Sequence, residues 1–217
     1  MAPVTPEGSP PRLDALAPGM LNGSQTELHA AITGGPRAAD RGRSPIVDGE
    51  GRLLGPFNAM LYNPALGDPM QRLGAAIRYR TSLDAATREV AILVVAATLD
   101  SEFEWFAHER LARAAGVSDE TIARIAAGRE PDGEAALPYR AARELVLDGD
   151  LGDERFTEVQ QRLGTVGSVE LVVLIGYYRM LALVLRTFRV GAPSGGSAEP
   201  GGGSAEPSGG SAEPSGG

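Results

Sequence analysis

The chain has 217 residues, a net charge of −8 at pH 7, 42% apolar residues and no cysteine. This length predicts one folded domain, and the negative charge, without any basic run, argues against a nucleic-acid partner, whose phosphates must be neutralised. Without cysteine there is no disulfide, no thiolate metal site and no thiol redox chemistry. Because only two histidines are present, far apart in the sequence, a transition-metal site is not expected either.

The first 52 residues are rich in proline and glycine, as in TPEGSPPRL and ITGGPRAADRGRSP. Proline and glycine interrupt regular structure, so we predict an N-terminal arm over 1–52 with one short helix near 12–21. The opening residues lack the charged region and the continuous apolar region of a secretory signal. We therefore expect a cytoplasmic protein.

Residues 53–191 should form the folded domain, because apolar residues recur there at helical spacing and no window alternates as a strand does. The first helix should open just before Pro69, which fits a first turn. The second, capped by Ser82 or Asp84, is apolar on nearly every side over 90–99 and should be central. Further helices are predicted over 102–115, 118–128, 135–149, 153–164 and 168–188. The predicted fold class is all-α, a compact helical bundle.

The most apolar stretch of the sequence is 169–188, VELVVLIGYYRMLALVLRTF. Its length approaches that of a membrane span, but Glu170, Arg179 and Arg186 interrupt it, and charges are costly in lipid. We therefore expect no membrane partner. The helix should be buried in the domain or between subunits, because it has more apolar surface than one small bundle covers.

The C-terminal segment 192–217 repeats SAEP three times at a period of seven residues. A segment of glycine, serine and proline cannot bury enough apolar area to offset its chain entropy. We predict a flexible tail.

A candidate site is predicted on the helix over 102–115. At about 100° per residue, Ser101, Glu104 and His108 lie within about 60° of one another around the helix, with Trp105 beside them. Glu104 and His108 are four residues apart, close enough for a carboxylate to orient and charge an imidazole.

The preceding helix should add a second acid to this site. If the two helices form an antiparallel hairpin that turns at 99–101, Glu89 lies roughly 15 Å up one arm and His108 roughly 10 Å up the other, near enough for their side chains to meet. Burial at the head of an apolar helix should raise the pKa of Glu89 and suit it to proton transfer. A solvated Glu–His pair and a histidine that only packs against tryptophan are the alternatives. A ligand-sized or wet pocket would favour an enzyme, and a sealed, fully paired cluster would favour a structural role.

The stretch REVAILVVAATLDSEFEWFAHERLARAAGVSDETI resembles the carboxymuconolactone decarboxylase family, which includes the alkylhydroperoxidase D proteins. The similarity extends from GPFNAMLYNPAL through GYYRMLALVLRTFRV. It implies an all-helical fold and a homo-oligomer, a trimer or hexamer. The peroxidase branch has a glutamate, eleven residues, Cys-x-x-Cys, three residues and a histidine. In that pattern Glu89 and His108 match, whereas Ser101 and Glu104 occupy the two cysteine positions.

The missing cysteines separate this chain from the peroxidase branch. Hydroperoxide reduction there needs an attacking and a resolving thiol, so we do not expect that activity here. The resemblance to the Cys-free branch implies a cofactor-free lyase that acts on a small carboxylated lactone or enolisable carbonyl compound. His108 would donate the proton, with Glu104 or Glu89 setting its charge and orientation.

The remaining candidates would bind the substrate. Arg88, or Arg78 and Arg80, would bind its carboxylate. The other candidates for the pocket are Ser101, Trp105, Tyr62 and Tyr177. The alternatives to a decarboxylase are an isomerase, hydrolase or cyclase of secondary metabolism on the same scaffold, or a non-catalytic helical oligomer.

Overall fold

The computed structural model describes residues 10–40 and 45–193, and within these ranges the chain is all-helical, as predicted. The α-helices are α1 (Gly23–Gly34), α2 (Pro56–Leu61), α3 (Pro64–Tyr79), α4 (Ala85–Thr98), α5 (Glu102–Ala114), α6 (Asp119–Ala126), α7 (Ala136–Leu147) and α8 (Asp153–Phe188). Short 3-10 helices lie at Pro18–Met20, Pro36–Asp40 and Gly133–Ala135. The predicted tail lies outside the described residues from 194 onward, and so does part of the predicted arm.

The N-terminal region contains a helix that the sequence prediction missed. The helix predicted near 12–21 is wrong, because only the 3-10 turn Pro18–Met20 forms there. Helix α1 follows it and begins with a capping box, in which the side chains of Asn22 and Gln25 each accept a hydrogen bond from the other's backbone N–H. Leu28 and Ile32 of α1 are buried in the main hydrophobic core, so this part of the predicted arm packs on the domain.

The start of α3 differs from the predicted one, and the structure shows which of two predicted residues caps α4. Helix α3 begins at Pro64, with the side chain of Asn63 as its cap, so Pro69 lies inside the helix and costs it one backbone hydrogen bond. Asp84 caps α4 by accepting a hydrogen bond from Thr87 N at 2.8 Å. Ser82 instead donates its N–H and its hydroxyl to Glu170 of α8.

Helix α4 is the centre of the bundle, as its apolar sequence predicted. Every residue from Glu89 to Ala96 is buried, and the helix packs against α5, α6, α7 and α8. A buried glutamate at the start of such an apolar helix needs a charged or hydrogen-bonding partner. The partner of Glu89 is His108, in the candidate site.

Helix α8 changes direction at Gly164, where the sequence predicted that one helix ends. The backbone there has φ 68° and ψ 178°, which interrupts the helix. The part that follows buries one face, including Leu174 and Tyr178, in the core. Its other face exposes Val166, Val169, Val172, Val173 and Leu183.

By length and composition alone, α8 could cross a membrane. Its most apolar 18-residue window has a mean hydropathy of 1.8, and half of that window is buried within the fold. The core helix of a soluble protein meets the same criterion, so a single helix of this kind is weak support for a membrane span.

Candidate active site

The α4–α5 hairpin brings the acid and the histidine together. It turns at Asp100, whose φ of 53° lies in the left-handed region that aspartate tolerates better than most residues. Ser101 N donates to Ala96 O at 2.9 Å and closes the turn. Across the hairpin, Glu89 and His108 face each other, although 19 positions separate them.

Glu89 and His108 form a short, buried pair. His108 Nδ1 lies 2.7 Å from Glu89 Oε2, and the two residues are 3% and 2% exposed. Burial alone would raise the pKa of Glu89, but the charge of His108, its hydrogen bond and the nearby charges of Arg78 and Arg88 outweigh burial and lower it. The predicted upward shift was therefore wrong in sign, because it counted desolvation without the partner.

Glu104 approaches the other ring nitrogen. Its Oε2 lies 3.5 Å from His108 Nε2, longer than a hydrogen bond. Burial raises the pKa of Glu104, and the charges of His108 and Arg78 only partly oppose this. The pKa values of the two glutamates therefore shift in opposite directions: the surroundings of Glu89 favour its carboxylate, and burial favours the neutral acid of Glu104.

Glu104 and His108 line a small, partly open cavity of about 30 Å³, enough for one or two water molecules. The polar residues of its lining are Arg37, Arg78, Glu104, His108, Tyr177 and Tyr178. The apolar part of the wall includes Ile46, Phe57, Phe103 and Leu181. A cavity of this size matches neither a sealed, fully paired cluster nor a pocket for a whole substrate.

The two tyrosines of α8 connect the histidine to the rest of the cavity. Tyr178 contacts His108 edge to face, with ring centroids 5.1 Å apart, and Tyr177 contacts Tyr178 in the same way at 5.4 Å. Burial raises the pKa of Tyr177 to about 12 and raises the pKa of Tyr178 well above its usual range. Both hydroxyls are therefore neutral hydrogen-bonding groups near neutral pH.

Of the five predicted substrate-binding residues, the structure places Tyr177 in the cavity wall and the other four elsewhere. Tyr62 is 44% exposed, and its hydroxyl donates to Asp14 O at 2.9 Å, so it anchors the N-terminal segment. Trp105 packs against the main core. Arg88 lies beside Glu89, with Arg88 Nε 3.5 Å from Glu89 Oε1.

Ser101, at the position of the first cysteine in the peroxidase pattern, is buried outside the cavity wall. Among the described residues, its hydroxyl has no hydrogen-bond partner. Without a base in contact, this serine has no means of becoming a nucleophile.

Two polar residues of the cavity wall, Arg37 and Tyr178, were not predicted from the sequence. Arg37 lies in the segment interpreted as an arm, and one of three arginines in GGPRAADRGRSP gives no signal of burial. Tyr178 follows the predicted Tyr177, and both side chains are buried in the bundle. A helical projection of α8 could have indicated that Tyr178 lies on the buried face. Arg78, predicted as one alternative for binding a carboxylate, does line the cavity.

The described residues contain no group of three or more histidine, aspartate or glutamate side chains suited to a metal ion. The cluster itself offers acid–base groups, namely the imidazole of His108 and two carboxyl groups, Glu89 with a lowered pKa and Glu104 with a raised pKa.

Comparison with known proteins supports the predicted family. No curated protein matches the chain. Residues 64–146 match the model of the carboxymuconolactone decarboxylase family. This segment runs from the start of α3 almost to the end of α7 and includes Glu89, Glu104 and His108, but neither Arg37 nor the tyrosines of α8. The predicted resemblance to this family is confirmed over the matched segment.

Proposed function

We propose that the protein is a cofactor-free lyase of the carboxymuconolactone decarboxylase type, acting on a small carboxylated lactone or a related enolisable carbonyl compound. The observation that carries this proposal is the position of His108. Its Nδ1 is bonded to Glu89, while the residue also lines the cavity next to Glu104. This arrangement suits an imidazole that exchanges protons through Nε2.

The reaction needs one proton donor and no oxidant. When a vinylogous carboxylate loses CO₂, the C–C bond breaks and its electron pair enters the conjugated system as a dienolate. Protonation of that dienolate on carbon completes the reaction. His108 Nε2–H would give this proton, and Glu89 would stabilise the imidazolium before the transfer, because a carboxylate bonded to Nδ1 favours the charged ring.

Glu104 would support the same step as a neutral acid. A second carboxylate in the cavity would repel an anionic substrate, whereas a protonated Glu104 does not. Its position 3.5 Å from Nε2 also suits it to return a proton to His108 after turnover, either directly or through one water.

Substrate entry requires the lining side chains to move apart. The cavity of about 30 Å³ holds water, not a lactone. The proposal therefore includes local opening around the cavity on binding, and a ligand can drive such opening only through contacts that the open state offers.

We also propose that the protein works as a homo-oligomer, a trimer or hexamer. The support is the exposed apolar face of α8, on which Val166, Val169 and Leu183 are 65%, 58% and 67% exposed. Contiguous apolar surface of this kind usually marks a contact with another chain.

The proposed reaction is tested by incubating the protein in D₂O with carboxymuconolactone and a panel of other carboxylated lactones and enolisable carbonyl compounds. We expect CO₂ release from at least one carboxylated lactone, with one deuterium bound to carbon in the product. Deuterium incorporation without release of CO₂ would indicate an isomerase, with His108 as the same proton donor, and not a lyase. If no compound gave either CO₂ release or deuterium incorporation, the result would contradict an acid–base enzyme.

A further inference from the structure

One part of the cavity wall is not helical. Pro45 and Ile46 lie in the segment before α2, whereas the other lining residues lie on α2, α3, α5, α8 and the 3-10 helix that carries Arg37. Helices α5 and α8 also pack against the central helix α4, so moving them would disturb the main core. The segment before α2 is therefore the part of the wall that can move at the lowest cost to the fold.

Residues 46–54 of this segment form a hairpin that is held together by its own hydrogen bonds. Leu54 N donates to Ile46 O at 2.9 Å, and Asp48 N donates to Arg52 O at 3.0 Å. The carboxylate of Asp48 accepts from the backbone N–H groups of Glu50 and Arg52, and it pairs with the Arg52 side chain at 2.7 Å. Because these bonds lie within the segment, the hairpin can move as one piece without breaking them.

The hairpin is attached to the rest of the domain by few contacts. Of its nine residues only Ile46 and Leu53 are buried, whereas α4 buries every residue over 89–96. Among the described residues, its one hydrogen bond to an element earlier in the chain runs from His29 Nε2 on α1 to Gly51 O, at 2.8 Å. A carbonyl oxygen only accepts, so Nε2 carries the hydrogen. One side chain on α1 thus holds the tip of the hairpin in place.

Gly55 joins the hairpin to α2. Its φ of 58° and ψ of −137° lie in a region that residues with a side chain rarely adopt. A Cβ at this position would lie 2.2 Å from Cε1 of Phe103, and Phe103 itself lines the cavity. Residues at the ends of elements are the usual hinges, because they can absorb a large change in φ and ψ. Gly55 is therefore a hinge next to the cavity.

We propose that the hairpin 46–54 is the gate of the cavity that contains Glu104 and His108. It swings about Gly55 and withdraws Ile46 from the wall, while the helical part of the wall stays in place. The hydrogen bond from His29 holds the gate closed. The purpose of the gate, the entry of a substrate, rests on the proposed function. The opening itself is a property of the free protein, because a ligand can only select or stabilise an open state that the fold allows.

The test uses the full chain and needs no substrate. The chain has no cysteine, so a single introduced cysteine is the only thiol that 4,4′-dithiodipyridine can label. Ile46→Cys places this thiol on the gate and Ile77→Cys places it on α3, at positions that are 4% and 3% exposed. We expect the thiol of Ile46→Cys to react at least about 10-fold faster than that of Ile77→Cys, because the gate opens more often than the whole domain unfolds.

The dependence of labelling on urea separates local opening from unfolding. Well below the unfolding midpoint, the labelling rate of Ile46→Cys should rise little with urea, because opening the gate exposes little surface. The rate of Ile77→Cys should rise steeply, because α3 exposes this position only when the domain unfolds. If Ile46→Cys does not fold, Leu53→Cys replaces it, since Leu53 is also on the gate and is 2% exposed.

His29→Ala removes the hydrogen bond that holds the gate closed. Combined with Ile46→Cys, it should raise the labelling rate about 2- to 10-fold, the usual worth of one neutral hydrogen bond. Glu27→Ala is the matched control on α1, because Glu27 is exposed and has no hydrogen bond or ion pair among the described residues. This control should change the labelling rate by less than about twofold.

Equal labelling rates for Ile46→Cys and Ile77→Cys, with the same steep dependence on urea, would overturn the gate, because the hairpin would then open only when the domain unfolds. A faster reaction of Ile77→Cys would also overturn it, since α3 would be the wall that moves. Labelling as expected, in a protein that releases no CO₂ from any compound of the panel, would keep the gate and reject the lyase. CO₂ release by wild type together with equal labelling of the two variants would keep the lyase and reject the gate.

Discussion

Glu89 Oε2 lies 2.7 Å from His108 Nδ1, across the α4–α5 hairpin and away from solvent. A carboxylate in this position fixes which ring nitrogen faces the cavity and stabilises the charged imidazole. The pair is thus a hydrogen bond between two helices, and in the proposed reaction it would also control the proton on Nε2.

The first prediction concerns the stability that Glu89 contributes. Glu89→Gln removes one partner of a buried charged pair and should lower the free energy of unfolding at pH 7 by about 3 kcal/mol. Because the folded pKa of Glu89 is lowered below 4.5, its contribution is present above pH 4.5 and is lost as the pH falls through the folded value. The difference between wild type and variant should therefore shrink below pH 4.5 in urea unfolding.

A surface glutamate provides the control for Glu89. Glu109 pairs with Arg113 on the outside of α5, and Glu109→Gln should change the free energy of unfolding by less than about 1 kcal/mol at any pH. Equal changes in the free energy of unfolding for the two variants would show that the Glu89–His108 pair does not stabilise the fold more than a surface pair does.

Glu104 should show the opposite dependence on pH. Its folded pKa is raised above 4.5, so the stability of its neutral form is fully present below pH 4.5 and is lost as the pH rises through the folded value. Glutamine resembles the neutral acid and does not ionise. Glu104→Gln should therefore gain stability relative to wild type as the pH rises from 4.5, measured by urea unfolding with the exposed Glu102→Gln as control. A constant difference over that range would show that Glu104 is ionised in the folded protein.

Hydroperoxide reduction should be absent. The chain has no thiol, and Ser101 and Glu104 stand where the peroxidase branch has cysteines. With a dithiol reductant, the loss of hydroperoxide should not exceed that seen with heat-denatured protein. Clear turnover above that rate would mean that the argument from the two missing cysteines fails.

Assembly should depend on the exposed apolar face of α8. Light scattering at micromolar concentration should give a multiple of 22.5 kDa. The double variant Val169→Lys/Val173→Lys should shift the protein to the monomer, since it places two charges on that face. Gln161→Lys, on an exposed polar part of the same helix, should leave the assembly unchanged. A wild-type monomer would contradict the proposed oligomer.

The parts of the fold that sequence patterns predicted best are those governed by local physics. Helix α4 is central because its residues are apolar on every side, and Gly164 interrupts α8 because its backbone adopts a positive φ. The start of α1 was missed although Asn22 and Gln25 have the spacing of a capping box, because the surrounding glycines and prolines suggested an arm.

The site was predictable where two residues share a helix or a hairpin, and not where distant segments meet. Glu104 and His108 follow from helical spacing, and Glu89 follows from the hairpin. Arg37 reaches the cavity only through the packing of its segment on α3 and Gln71. The sign of the pKa shift of Glu89 likewise depends on its hydrogen bond to His108, whose length cannot be predicted from the sequence spacing of the two residues.

Replacement of His108 by glutamine tests whether this residue is the proton donor. Glutamine retains much of the size and hydrogen bonding of the imidazole but cannot titrate between pH 5 and 8. On whichever compound releases CO₂ with wild type, turnover per folded molecule should fall by about 10²- to 10⁴-fold, while light scattering still reports the wild-type assembly. A variant that melts at a lower temperature but turns over at the wild-type rate would contradict the account, because His108 would then be a structural residue and not the proton donor.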